Sequence, residues 1–255
     1  MKFINIICLL VFILFGCQSN TNSNYSNSTL LPNASGENNE MLIVMDSTKF
    51  QGEIGRLLVG TYGSYIYGLP QPENNFDLIF IRPRNFNSIL KYAKNIVVAF
   101  SLEGNSLDSK ILRKEFNKKS IDKIKNDSSI FFFKRKDQYA KGQTILYLFS
   151  KTDNELINKI KKNKKMLLKY FQNEVSIRTS KEIFSKVEAN ISNKLFNDHR
   201  IKIKIPFGYD LAKNNNNFFW LRYLEPDHEK NIFVYYEDYV DNKFKHFGDF
   251  VQEKN

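Results

Sequence analysis

The sequence predicts an α+β protein in two parts: a mixed sheet with flanking helices over residues 40–198, then a β-rich antiparallel unit over residues 199–255. Three observations carry that expectation. Met41–Met45, Phe76–Ile81 and Ile96–Phe100 are short continuous apolar runs of the kind that form buried strands. The segments between them repeat apolar residues at helical spacing. After Arg200 the hydrophobic period changes to two.

Taken in order, Met41-Leu42-Ile43-Val44-Met45-Asp46 reads as the first strand, and Asp46 or Ser47 is placed to cap a helix over residues 50–62, where Ile54, Leu57 and Leu58 share a face. Gly68, Pro70 and Pro72 make residues 65–75 an irregular connection. Phe76–Ile81 is a strand stopped by Arg82-Pro83; Phe86, Ile89, Leu90 and Ala93 mark a short helix, and Ile96–Phe100 the third strand. Residues 108–126 are charged, with sparse apolar positions, and read as one helical segment. Ser129–Lys134 and Gln143–Phe149 are two further strands. Thr152-Asp153-Asn154-Glu155 and Thr179-Ser180-Lys181-Glu182 both have capping-box form, so two helices are expected, one through Leu156, Ile160, Leu167 and Phe171 and one through Ile183, Val187, Ile191 and Leu195. Ile201, Ile203 and Ile205 then alternate with lysines as a strand, Pro206–Tyr209 turns the chain, and Phe218–Tyr223 and Ile232–Tyr236 form a hairpin about Pro226–Glu229. Three strands make a thin core, so this unit is expected to be cut short or to lean on the first.

The N-terminus carries an address. Lys2 precedes about 13 apolar residues, short of the roughly 20 that a helix needs to cross a bilayer, so residues 1–16 read as a signal peptide. Leu14-Phe15-Gly16-Cys17 resembles a bacterial lipobox, which implies cleavage before Cys17, a diacylglyceryl thioether on its sulfur and a further acyl chain, palmitate or similar, on the new amine. Two or more chains give stable anchoring. Residues 17–39, rich in Ser, Asn and Thr, read as a disordered polar tether. With no acidic cluster after Cys17, the expected location is the cell envelope, lipid-anchored, with the outer membrane facing the periplasm as the default. Cys8 leaves with the signal, so the mature chain would hold no free thiol.

The formal charge of +11 comes from 38 Lys and Arg against 27 Asp and Glu. The excess is mostly lysine in a chain also crowded with Asn, Ile and Phe, a pattern that biased base composition accounts for, and export argues against nucleic acid as a partner. Lys159, Lys161, Lys162, Lys164 and Lys165 read as a solvated helix face.

Leu69-Pro70-Gln71-Pro72-Glu73 before Phe76-Asp77, the corner Asp137–Gln143, and Gly208-Tyr209 with Asn217-Phe218, Trp220, Leu221 and Arg222 are similar to an uncharacterised Bacteroidetes lipoprotein family, a domain of unknown function, over about residues 31–250. The resemblance implies structural motifs and supplies no activity. Tyr139 stands where a tryptophan is expected, and family members continue for several antiparallel strands and a last helix, whereas this chain stops at Asn255.

No motif carries chemistry. Gly60-Thr61-Tyr62-Gly63-Ser64 lacks the spacing of a nucleophile elbow, and no phosphate-binding glycine loop is present. His199 and His246 lie among charges, and His228 sits between Asp227 and Glu229 in a turn, unlike the i, i+4 spacing that converges on zinc. Glu237, Asp238 and Asp241 cluster near a strand end, but adjacent strand residues face opposite sides. Phe218, Phe219, Trp220 and Tyr223 with Phe233, Tyr235 and Tyr236 read as cross-strand core pairs before they read as a sugar-stacking surface. The sequence therefore implies no catalytic, cofactor or metal residue, only lipidation at Cys17. The expectation is a non-catalytic lipoprotein that binds an envelope protein or an anionic polymer; the alternatives are a hydrolase acting on cell-wall or glycan material and small-ligand binding between the two units.

Overall fold

The computed structural model describes residues 31–238. Residues 1–16, where a signal peptide is expected, lie outside the described residues, as do Cys17, Tyr239, Asp241 and His246.

Three strands are buried on both faces and are the most continuously apolar: β1 (Glu40–Val44), β3 (Asn95–Ser101) and β5 (Thr144–Ser150). Strands of that composition belong at the centre of a parallel sheet with both faces covered. The edges go to β2 (Asp77–Ile81), which alternates in burial, and to β4 (Phe132–Lys136), whose last three residues are charged and exposed. The order is β2-β1-β3-β5-β4; β4 alone runs antiparallel, through its ladder with β5.

Helices α1 (Ser47–Gln51) and α2 (Glu53–Tyr62) lead from β1 towards β2. Gly55 is required where they meet, because a Cβ there would lie 1.7 Å from the Phe50 carbonyl oxygen. Helix α5 (Asp153–Ile183) lies on the same face as α2, and together they bury Met41, Ile43, Val97, Leu146 and Leu148 beneath Leu58, Tyr62, Leu167 and Phe171. Helices α3 (Leu107–Lys114) and α4 (Lys118–Asn126), with the connection over residues 82–94, cover Val44, Val98, Ile145, Tyr147 and Phe149 on the other face. The single helix expected over residues 108–126 is thus two, divided at Asn117, which caps α4 through Ser120 N–H.

Helix α5 corrects a second expectation. Thr179–Glu182 starts no helix: α5 is 31 residues long and runs through it. Once nucleated, a helix with no Gly or Pro from Asp153 to Ile183 continues at little cost, and the Thr179 hydroxyl accepts from Asn38 Nδ2 instead of capping. The expected tether also ends early. Lys141 N–H donates to Pro32 O, Ala34 N–H to Lys141 O and Ser35 N–H to Tyr92 O, so residues from Pro32 onward are pinned across the N-terminal ends of the strands.

In the second unit, α6 (Ala189–His199) packs Leu195 against Ile205, Phe219 and Leu221, so the helix expected to finish the first unit belongs to the second. Its sheet is β6 (Asp210–Asn215), β7 (Phe218–Leu224) and β8 (Glu229–Tyr235), antiparallel in that order. The β7–β8 hairpin is the expected one. Residues 201–205 form no ladder; Ile201, Ile203 and Ile205 pack on the core, and the segment's one bridge, Val187 to Pro206, follows it. The strand beside β7 is the polar β6, which sequence reading passed over.

Candidate functional site

In an open sheet, ligands collect outside the carboxyl ends of the strands where the strand order reverses. Here that point is the crest between β1 and β3, and a polar cluster occupies it. Asp46, 2% exposed, follows β1 and caps α1: its Oδ1 accepts from Thr48 N–H at 2.9 Å and Thr48 Oγ1 at 2.6 Å, and its Oδ2 from Ser109 Oγ at 2.9 Å and from Ser106 Oγ. Burial pushes the Asp46 carboxyl up, but the hydroxyls of Ser106, Thr48 and Ser109 outweigh it and hold the group well below the usual carboxylate range.

Beside it, Lys49 Nζ donates to Ser101 Oγ at 2.7 Å and to Asp153, and Ser101 Oγ donates to the same Asp153 oxygen at 2.6 Å. Asp153 N–H in turn donates to Glu103 Oε2 at 2.8 Å. Arg113 donates to the Leu102 and Gly104 carbonyls, and Arg84 Nε to the buried Asp108 at 2.9 Å. The crest therefore joins the ends of β1 and β3 to the starts of α1, α3 and α5. Ser101 does meet a carboxylate, but one already neutralised by Lys49. Both donors share the one Asp153 oxygen, so the serine hydroxyl sits inside an ion pair.

Next to the crest, under the residue 82–94 connection, is a recess of about 140 Å³. Val44 and Val98 floor it; Phe86, Leu112, Tyr139 and Tyr147 are among its walls, with Lys91 and Glu115 as its charged groups. Lys91 Nζ stands 5.2 Å from the Tyr139 ring centre and 5.9 Å from that of Phe86. Tyr147 donates to Gln138 Oε1 at 3.2 Å, and burial pushes its hydroxyl up, so it stays a neutral donor. The space suits one apolar ring or side chain, smaller than the pockets that enclose drug-sized ligands.

The residues weighed from sequence fall elsewhere. Ser64 Oγ donates to Thr61 O at the end of α2. His228 pairs with Glu225 in the β7–β8 turn. His199, expected among charges, is 8% exposed: Nε2 donates to Asn214 Oδ1 at 2.5 Å, Nδ1 lies 2.9 Å from the Tyr236 hydroxyl, and the ring packs on Phe219. Glu237 accepts from Tyr235. The aromatic pairs divide between faces: Phe219 and Leu221 enter the core, while Phe218 and Trp220 meet Phe233, 60% exposed, outside it. Lys161 pairs with Glu53 and Lys159 with Glu155. Among the described residues, no group of three or more His, Cys, Asp or Glu is placed to hold a metal ion. Sequence reading missed the crest because Asp46, Lys49, Ser101 and Asp153 come from three distant segments; the cap at Asp46 was its only local signal.

The profile of a domain of unknown function, DUF8532, matches residues 34–184, more than half of the chain, and that of a second, DUF4837, matches residues 188–255. The two matches meet between α5 and α6. No curated protein and no solved structure matches the chain.

Proposed function

The chain belongs to the family defined by the domain of unknown function DUF8532, and from that premise we propose that it is a lipid-anchored envelope lipoprotein of the Bacteroidetes type that binds rather than catalyses. The observation that carries the reading is the crest. Where a doubly wound sheet would offer a ligand free polar groups, Asp46 is held by Thr48, Ser106 and Ser109, and Lys49, Ser101 and Asp153 hold one another. The concavity beside them is ring-sized, with valines and aromatic rings set about Lys91 and Glu115, which suits a side chain or a cyclic group of an envelope protein or polymer. Cys17 after Leu14-Phe15-Gly16 supports the anchor, with the periplasmic face of the outer membrane as its place. Among the described residues, no helix is long and apolar enough to cross a membrane.

Mass spectrometry of the N-terminus of the purified protein tests the anchor. The expected species starts at Cys17 and carries acyl mass, and Cys17→Ser moves the protein from the membrane to the soluble fraction. A start at Met1 without acyl mass overturns it. For the second half of the reading, the protein is incubated with purified cell-wall polymer. Release of soluble fragments that Asp153→Asn abolishes would make the protein a hydrolase instead.

A further inference from the structure

The end of the sheet opposite the crest receives the N-terminal chain. Asn33 bridges Lys141, Ser35 bridges Ala93, and Asn39 O accepts from Asp77 N–H, so the chain enters across the N-terminal ends of the strands. Fourteen residues lie between Cys17 and Pro32. At about 3.5 Å per residue, a chain of that length spans at most ~50 Å. With Cys17 held in lipid, this end of the domain stays close to the headgroups.

The same end carries the most concentrated exposed apolar surface of the first unit. In the connection from α2 to β2, Tyr65 is 70% exposed, Ile66 40%, Tyr67 102% and Leu69 42%. The loop is a fixed protrusion. Tyr65 bridges Asn74, Ile66 N–H donates to Glu73 O at 2.8 Å, Asn75 N–H donates to Ser64 O at 2.8 Å, and Gly68 takes the φ of +88° that the tip requires. Ile66 and Asn39 line one hollow, so the protrusion stands beside the incoming chain. On the other side of that chain Tyr92, partly exposed, accepts from Ser35 N–H through its carbonyl. Tyrosine, with an apolar ring and a polar tip, is a side chain enriched at the level of lipid headgroups. Tyr65, Ile66, Tyr67 and Leu69 together, held on ordered backbone, are unusual on a surface meant only for water.

We propose that residues 65–69 form a membrane-contacting prong that enters the headgroup region of the leaflet anchoring Cys17 and so sets which end of the domain faces away from the bilayer. The inference rests on the lipid-anchor reading above. It leaves the crest, at the opposite end of the strands from the prong, turned toward the periplasm.

The test uses the full-length acylated protein in vesicles of phosphatidylethanolamine and phosphatidylglycerol with brominated acyl chains. An environment-sensitive fluorophore is placed through Tyr67→Cys, or through Leu107→Cys at the crest as the reference; both side chains are exposed, so folding is checked by an unchanged circular dichroism spectrum. The expected result is flotation with the vesicles, a blue shift and loss of more than half the emission at position 67, and neither change at position 107. Flotation with equal, unquenched emission at both positions overturns the prong while leaving the anchor standing; it would mean that a protein surface or water meets this loop. Failure to float overturns the anchor and the prong with it.

Discussion

The two sheets are made of similar strands but differ in how many faces are covered. The five-stranded sheet has α2 and α5 on one side and α3, α4 and the residue 82–94 connection on the other, and its three central strands are buried throughout but for Glu40. Among the described residues, the three-stranded sheet has α6 and residues 201–205 on one side, a core of four buried residues, and Phe233 exposed on the other. The difference teaches where rigidity resides. Buried area scales with the number of covered faces, so a recess or a prong built on the first unit is held by far more packing than anything on the second.

The largest expected effect comes from breaking the thicker core. Phe171 is fully buried and meets Tyr62 and Phe76 edge-to-face. Phe171→Ala should cost about 3–5 kcal/mol. The chain's one tryptophan, Trp220, lies in the second sheet, so its fluorescence follows that unit while circular dichroism follows both. The expected outcome in urea is a lowered dichroism midpoint with the Trp220 midpoint unmoved; if the two shift together, the units unfold as one and the comparison fails.

A smaller effect sharpens the comparison at the crest. Asp46→Asn removes the charge from the hydrogen bonds with Thr48, Ser106 and Ser109 and should cost about 1–3 kcal/mol. It should also change the acid response. Because the folded carboxyl is held below its ordinary 3.8, the unfolded chain takes up its proton first as the medium is acidified. The contribution of Asp46 is therefore complete above the unfolded value and is lost as pH falls through the folded one. Urea midpoints measured from about pH 6 down to about pH 3 should fall more steeply in the wild type than in Asp46→Asn. Equal slopes would remove Asp46 from the account.

The smallest effect tests how completely the first core is satisfied. Among the described residues the Tyr62 hydroxyl is buried without a hydrogen-bond partner, and burial pushes its ionisation far up. Tyr62→Phe keeps both ring contacts and frees the core of that group, so stability should be unchanged or higher by up to about 1 kcal/mol. A loss of more than about 1 kcal/mol would show that the hydroxyl has a partner after all.

Much of the first unit is legible residue by residue. Met41–Met45, Ile96–Phe100 and the segment ending at Phe149 read as strands because their apolar runs are set by burial on both faces. The α2 and α5 stripes read from their spacing. Thr179–Glu182 misleads because a capping box is a local signal that an already propagating helix overrides. β6 is invisible because Asp210–Asn215 is polar, and what makes it a strand is the open edge of β7 together with the two-residue connection Asn216-Asn217. His199 misleads for the opposite reason: its neighbours in sequence are charged, while its neighbours in space are Phe219, Tyr236 and Asn214.

By itself the sequence determined the α+β class, the central strands, the helical faces and the aromatic β7–β8 hairpin, because each rests on a periodicity read within a dozen residues. The tertiary structure alone decided the crest, the recess, the place where the N-terminal chain enters and which aromatic side chains remain outside. Each of those depends on segments such as Lys49 and Asp153, 104 residues apart, being brought within a hydrogen bond by the closing of one sheet, and local pattern carries no record of that.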